Sequence, residues 1–361
     1  MNMKLPERTS LTTETVKVLC SMISAGELKQ RLPGERDLAT RLQIGRDTLR
    51  AALVELEKLG WISVGEHGKR RKILKKPKGG GLAKRTGRIG FLSPKRLQDL
   101  TPAMLLEVDH LREILARQDV SLEVHSPSIS SLQRPGSRLK DLVGSVECDA
   151  WILHQATEQV QSWFQKQKTP CLIRGHPYAG VDLPCLDIDW QATGYHAGAL
   201  LTRNGHRSLG LMMPDTQLQG LFASQKGLEM ALNKTPEPTT LHTITEHRTI
   251  NDVALALHRA FQGEHPPTAI VATRSRQVLT LISWLASHRL NIPHNLSLVS
   301  LTYDNVLDAL VPRVSYYHLD PSTMARNMAR KLDSVMNRSD SEQKKLIPEF
   351  FPGQSVKELN I

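Results

Sequence analysis

The sequence predicts two α/β lobes, each a doubly wound parallel sheet, behind a small helical leading module. Three observations carry that expectation. From Arg88 onward short apolar strands alternate with amphipathic helices, the pattern of parallel sheets buried on both faces. Some ten such strands over roughly 270 residues exceed one ordinary sheet of about 4–6 strands, so two lobes are expected. The net charge of +11 lies wholly ahead of them: residues 1–88 hold 20 Lys/Arg against 9 Asp/Glu, and residues 89–361 hold 27 of each. A basic module on an electrically neutral body is the asymmetry of a polyanion binder.

The elements follow in order. Thr12 to Ala25 carries Val16, Leu19, Met22 and Ile23 at helical spacing and stops at Gly26. Pro33-Gly34 precedes a short helix, Glu35–Leu42, with Leu38 and Leu42 inward. After Gln43-Ile44-Gly45 a third helix runs to about Leu59, with Leu49, Ala52, Leu53 and Leu56 on one face. Residues 61–74, WISVGEHGKRRKIL, read as two short strands about a turn at Glu66–Gly68. The Gly-, Pro- and Lys-rich stretch 75–87 reads as a flexible basic linker. The predicted division is therefore 1–74, 75–87 and 88–361.

In the body, strands are expected at 88–93, 120–126, 149–154, 169–175, 185–189, 208–213, 240–245, 268–273 and 296–302. Helices are expected between them at 102–118, 156–167, 191–204, 218–232, 250–262 and 276–289. No apolar run reaches the ~18 residues of a membrane span, and the N-terminus lacks the pattern of a secretory leader. Cys20, Cys148, Cys171 and Cys185 lie far apart, as in reduced thiols of a cytoplasmic protein, and without metal-type spacing.

The helices Glu35–Leu42 and 46–59, joined by a turn of about three residues, fit a helix-turn-helix. The N-terminal end of the second helix of such a pair enters the major groove. There Arg46 and Arg50 share the face opposite Leu49 and Leu53, flanked by Asp47 and Thr48. Guanidiniums so placed reach guanine edges or phosphates with two parallel hydrogen bonds. The whole segment 32–73, LPGERDLATRLQIGRDTLRAALVELEKLGWISVGEHGKRRKI, resembles the winged helix-turn-helix of the gluconate-repressor (GntR) family. By that resemblance Arg36, Arg46, Thr48, Arg50, His67 and Gly68 occupy DNA-contacting positions, with Asp47 and Lys69 beside them. Gly34 and Gly45 stand where the family usually has Ser or Thr, so a hydroxyl to phosphate is lost at 45.

The body resembles the effector domain of the lactose/galactose-repressor (LacI) family, which shares the periplasmic sugar-binding-protein fold. The stretches that carry the likeness are DIDWQATGYHAGALLTRNGHRSLGLM (187–212), RLNIPHNLSLVSLTYDN (289–305) and PRVSYYHLDPSTMARNMARKL (312–332). A gluconate-type head on such a body resembles the arrangement of bacterial arabinose repressors. In open α/β lobes ligands sit beyond the carboxyl ends of strands. The positions expected to line the cleft are therefore Ser93, His154, Arg174, His176, Ser224, Arg274, Thr302 and Asp304. Arg274-Ser275 replaces the family's Asn-Asp, and Ser224 its arginine. Arg174, Arg274 and His176 are expected to form a cationic pocket for an acidic ligand, unless neighbouring acids take them up.

The resemblance implies a cytoplasmic repressor that binds a palindromic operator in double-stranded DNA as a homodimer. A sugar or sugar derivative in the cleft would modulate it. Gly79-Gly80-Gly81 lacks the Lys-Ser/Thr of a phosphate loop, and neither H-E-x-x-H nor G-x-S-x-G occurs. No metal, no other cofactor and no membrane partner are expected, and no catalysis. Two other functions stay open: constitutive DNA binding by a chain whose body only dimerises, and a sugar-modifying enzyme.

Overall fold

The computed structural model describes residues 11–24, 28, 30–58, 61–63, 70–74, 87–127, 135–167, 169–246, 249–337 and 342–359. The chain divides into two compact units, Met1–Arg85 and Thr86–Ile361.

The first unit holds α1 (Leu11–Ser24), α2 (Glu35–Leu42) and α3 (Arg46–Lys58). Their apolar stripes meet in one core of Leu19, Ile23, Leu38, Leu49, Leu53 and Leu56, closed by Leu32 and Ile62. Gly34 offers no side-chain cap to α2, which begins instead with Glu35 and Asp37 at the positive end of its dipole. The chain leaves α2 through Gln43 in the left-handed region (φ 53°), and Ile44 N–H donates back to Ala39 O at 3.1 Å. That sharp exit is what turns α3 across α2. The two strands expected at 61–74 shrink to paired bridges, Ile62 with Ile73 and Lys72 with Arg31. Ser63 N–H donates to Lys72 O (2.8 Å) and Leu74 N–H to Trp61 O (3.1 Å). The turn between these legs, with His67, Gly68 and Lys69, lies outside the described residues, as does the linker apart from Gly87.

The second unit consists of two lobes, each with a six-stranded sheet. Lobe one contains β1 (Arg88–Leu92), α4 (Pro102–Ala116), β2 (Ser121–His125), α5 (Gly136–Ser145), β3 (Ala150–His154), α6 (Glu158–Gln167), β4 (Cys171–Arg174) and β5 (Cys185–Ile188). Lobe two contains α7 (Trp190–Arg203), β6 (Ser208–Pro214), α8 (Gln219–Leu232), β7 (Thr240–Glu246), α9 (Ile250–Phe261), β8 (Ala269–Ala272), α10 (Ser275–Ser287), β9 (Ser297–Ser300) and β10 (Ser315–His318). The chain then returns to lobe one as α11 (Pro321–Met336) and β11 (Gln343–Leu346), and ends in lobe two with β12 (Glu349–Phe351).

The sheets run β11-β5-β4-β3-β1-β2 and β12-β10-β9-β8-β6-β7. Every pairing is parallel except β10 with β12, so the doubly wound expectation holds. Apolar cores cover both faces of each sheet, which is why β3, β4, β8 and β9 are buried at every residue. At the crossing of α7 and α8 the backbones touch. A Cβ on Gly194 would lie 2.1 Å from Ser224 O, and one on Gly227 2.1 Å from Gln191 O. Only glycine admits so close an approach.

Candidate functional site

In the first unit, α3 buries Leu49, Ala52, Leu53 and Leu56 to 1% exposure or less, and this fixes its opposite face outward. Arg46, Asp47 and Arg50 are exposed at its start, Thr48 is half-buried, and Arg36 is exposed on α2. The Arg50 Nε donates to Glu35 at 3.1 Å. Glu35 also accepts from Arg71 at 2.7 Å, and Arg71 donates in turn to Glu57 at 2.5 Å. The hydrogen bonds from Arg71 and then Arg50 hold Glu35 below the usual carboxylate range. One acid on α2 thus ties α3 to the second leg of the 61–74 segment. Beside it, Arg31, Arg36 and Arg70 ring a shallow depression at the start of α2. Three guanidiniums against one acid, Asp37, suit an anion such as a phosphate.

In the second unit a cavity of about 240 Å³ opens between the lobes. The strand ends β3, β4 and β5 with α4 form one wall; the loops after β6, β8 and β9 form the other. On the first wall Arg174, 8% exposed, donates from Nε and Nη2 to both oxygens of Glu107 (each 2.9 Å) and from Nη1 to Asp187 (2.8 Å). Asp187 further pairs with His176 Nδ1 (2.6 Å) and accepts from Trp190 Nε1 (3.1 Å). Burial alone would raise Asp187, but the His176 hydrogen bond and the Arg174 charge outweigh it and hold it ionised. Burial alone would likewise weaken Arg174's hold on its proton, and Glu107 and Asp187 reverse that. Every charge in this cluster has a partner, the condition under which buried ions persist.

His154 lies beside the cluster, 7% exposed, its ring 5.7 Å from that of Phe91. Burial, and then the nearby Arg174, drive it down to about 3, so it is neutral. Its Nδ1, closed to solvent, has no hydrogen-bond partner among the described residues. Trp190 and Tyr178 add aromatic surface, and the Tyr178 hydroxyl donates to Gln217 O (3.1 Å), joining the loop after β4 to that after β6. Among the described residues no group of three or more His, Cys, Asp or Glu is placed to hold a metal ion.

Five of the expected cleft residues line this cavity: His154, Arg174, His176, Arg274 and Thr302. Three do not. Ser93 lines a separate small hollow with Pro94 and Pro127, its hydroxyl capping Lys95 N–H. Ser224 is fully buried in the α7–α8 crossing, where its hydroxyl donates to Leu221 O. Asp304 accepts from Val306 N–H and starts a short turn of 3-10 helix. The cationic pocket is also reduced, because Glu107 and Asp187 take up Arg174 and His176. Glu107, Asp187, Tyr178, Trp190 and Lys95 line the cavity without having been expected there. Glu107 carried a signal: it falls on the inward face of α4 with Met104, Val108 and Leu111.

Residues 199–356 match the family model of the periplasmic binding protein-like domain, and residues 11–69 that of bacterial regulatory proteins of the gntR family. A curated relative, the arabinose metabolism transcriptional repressor of Geobacillus stearothermophilus, is 22% identical over 94% of this chain and 96% of its own length. This chain is a DNA-binding regulator, with a match to the gntR model at its head. The solved structures it resembles cover its body. They include a LacI family transcriptional regulator from Enterococcus faecium with bound ribose (17% identity, TM-score 0.62, 76% of this chain and all of that one). The transcription regulator CcpA of Lactococcus lactis is comparable (15% identity, TM-score 0.63, 76% of this chain and all of that one). These likenesses establish the fold of the regulator's body. No helix among its described residues is long and apolar enough to cross a membrane.

Proposed function

We propose that this regulator is a cytoplasmic repressor that binds a two-fold-symmetric operator as a homodimer, and that a small hydroxylated ligand in the cleft sets its operator affinity. The carrying observation is α3: one face is sealed into the core, and Arg46 and Arg50 stand exposed at its first turn. Arg46, Asp47, Thr48 and Arg50 would read base edges, while Arg36 and the residues of the 64–69 turn, His67, Gly68 and Lys69, would hold the flanking backbone. Residues 75–87 would tether the head to the body. The ribose in the Enterococcus faecium regulator and the arabinose role of the Geobacillus stearothermophilus repressor support a sugar-class ligand here. At 240 Å³ the cavity lies just under the roughly 300–1,000 Å³ of ordinary ligand pockets, which suits a single sugar ring. Ligand closure would act by binding one arrangement of the body better than the other. Catalysis has no part in this reading.

Footprinting over the promoter of the regulator's own gene, with and without pooled metabolites, tests it. Two protected half-sites are expected, their centres about 10–10.5 base pairs or a multiple apart. Arg46→Ala should lose about 1–3 kcal/mol at that site and little on random duplex. Equal loss on every sequence would demote Arg46 to a phosphate contact, and absence of protection anywhere would end the repressor reading.

A further inference from the structure

Reading the cleft as the ligand site leaves open which chemical class it takes, and one side chain narrows that. Arg274, at the start of α10, lines the cavity from lobe two and is partly withdrawn from water. Among the described residues no carboxylate lies within ion-pair distance of it. Glu246 bears on it electrostatically, but its two oxygens are engaged by Gln277 Nε2 (3.0 Å) and Arg276 Nε (3.4 Å). Gln277 Oε1 meanwhile caps Thr273 and Arg274 N–H, so the local backbone is satisfied and the guanidinium is not.

The opposite wall answers differently. Its carboxylates are closed by Arg174, His176 and Trp190, and therefore neither demand a cation nor strongly repel an anion. The charged groups lining the cavity are Lys95, Arg174 and Arg274 against Glu107 and Asp187, and the excess positive charge falls to the unpaired Arg274 and the exposed Lys95. Between the walls, His154 adds a neutral imidazole whose Nδ1 is closed to solvent, so it brings no charge against that excess. The Arg274 guanidinium is thus the lining charge near the cavity's second wall that no described carboxylate answers.

We propose that the cleft takes an anionic, polyhydroxylated small molecule of single-ring size, its carboxylate or phosphate held by Arg274. The planar guanidinium suits either anion through two parallel hydrogen bonds. The inference rests on the ligand-sensing reading but can fail without it.

Titration calorimetry on the full chain tests it, with D-glucuronate and D-ribose 5-phosphate as anions and D-ribose and L-arabinose as neutral probes. At least one anion should bind ten-fold or more tighter than both neutral sugars, and which anion wins separates carboxylate from phosphate. Arg274→Gln should abolish that preference while the body's urea-unfolding midpoint stays unchanged, which confirms folding. Should that variant misfold, Arg274→Lys should keep a preference for the anion at reduced affinity. A neutral sugar binding as tightly as either anion overturns the inference and leaves ligand sensing standing. Failure of all four probes overturns it as well. If pooled metabolites then also leave duplex affinity unchanged, the ligand-sensing reading falls with it.

Discussion

Arg50 in the leading unit and Arg174 in the body are both arginines held by carboxylates, yet water treats them oppositely. The Arg50 side chain is 62% exposed and makes a single bond to one half-exposed acid. Arg174 is 8% exposed and makes three bonds to two buried acids. An exposed pair gains about 0–1 kcal/mol, because solvent screens it and the side chains must be ordered. A buried pair adds little over an apolar replacement, but losing one member strands the other charge and costs about 3–5 kcal/mol. The same residue type is therefore available for a partner in one unit and committed to architecture in the other.

That contrast sets the largest expected effect. Arg174→Ala should destabilise the body by about 3–5 kcal/mol, since Glu107 and Asp187 would remain buried without their cation. Arg50→Ala should leave the body's unfolding midpoint unchanged. Urea unfolding followed by tryptophan fluorescence reads this once Trp61 of the head is replaced by Phe, since the other four, Trp151, Trp163, Trp190 and Trp284, belong to the body. Equal shifts for the two variants would erase the distinction between the pairs.

The contrast also explains what could be read from the chain. Periodicity exposed α3 completely, because Leu49, Ala52, Leu53 and Leu56 leave only one face for Arg46 and Arg50. Strands β3, β4, β8 and β9 were legible as apolar runs between helices, since burial on both faces leaves a strand no polar alternation, while the edge strands β2 and β7 are only partly buried and showed through their β-branched alternation. The edge strand β11, QKKL, was not: half of each side chain's surroundings is water, so its composition reads as loop. Helix α5 buries Leu139 and otherwise reads as polar linker with two glycines. In the cavity, Arg174 was visible at a strand end, but its partner Glu107 lies 67 residues away, a pairing that only the fold creates. Ser224 was misplaced because α8 packs its backbone here against Gly194 of α7, which leaves Ser224 fully buried in that crossing.

Acid should separate the two units next. Burial holds His154 down to about 3 and His206 down to about 4, so both are neutral in the folded body at pH 7. His206 is enclosed between Thr268 Oγ1 (2.9 Å) and Lys357 O (3.2 Å). Unfolding returns each to about 6.5, so between that pH and about 4 the unfolded chain takes up protons that the folded body refuses. Stability is therefore complete above pH 6.5 and falls as pH drops, by on the order of 1–2 kcal/mol at pH 5 for a fully buried histidine. The leading unit has a single histidine, His67, and its depressed acid Glu35 begins to lose its contribution only near pH 4.5. Thermal unfolding from pH 7 to pH 5 should lower the body's midpoint and spare the head's, with His206→Asn flattening the body's response. A head transition that falls in parallel would assign the acid sensitivity to something other than these buried rings.

The smallest effect concerns the acid that restrains Arg50. Glu35→Gln removes the charge shared by Arg50 and Arg71, while Arg71 keeps Glu57 at 2.5 Å. The fork is solvent-exposed at Glu35, so the head's stability should change by less than about 1 kcal/mol. Duplex binding should change in a different way. An unrestrained Arg50 can neutralise one further phosphate, which steepens the dependence of log affinity on log salt by up to about one unit. Affinity for random duplex should rise at low salt, and discrimination for the cognate site should narrow, because a guanidinium no longer aimed by Glu35 contacts backbone as readily as a base edge. If the salt slope stays fixed and the head instead loses several kcal/mol, Glu35 is a strut of the fold. Arg50 would then belong with Arg174, and the division between available and committed arginines would have to be redrawn around Arg46 alone.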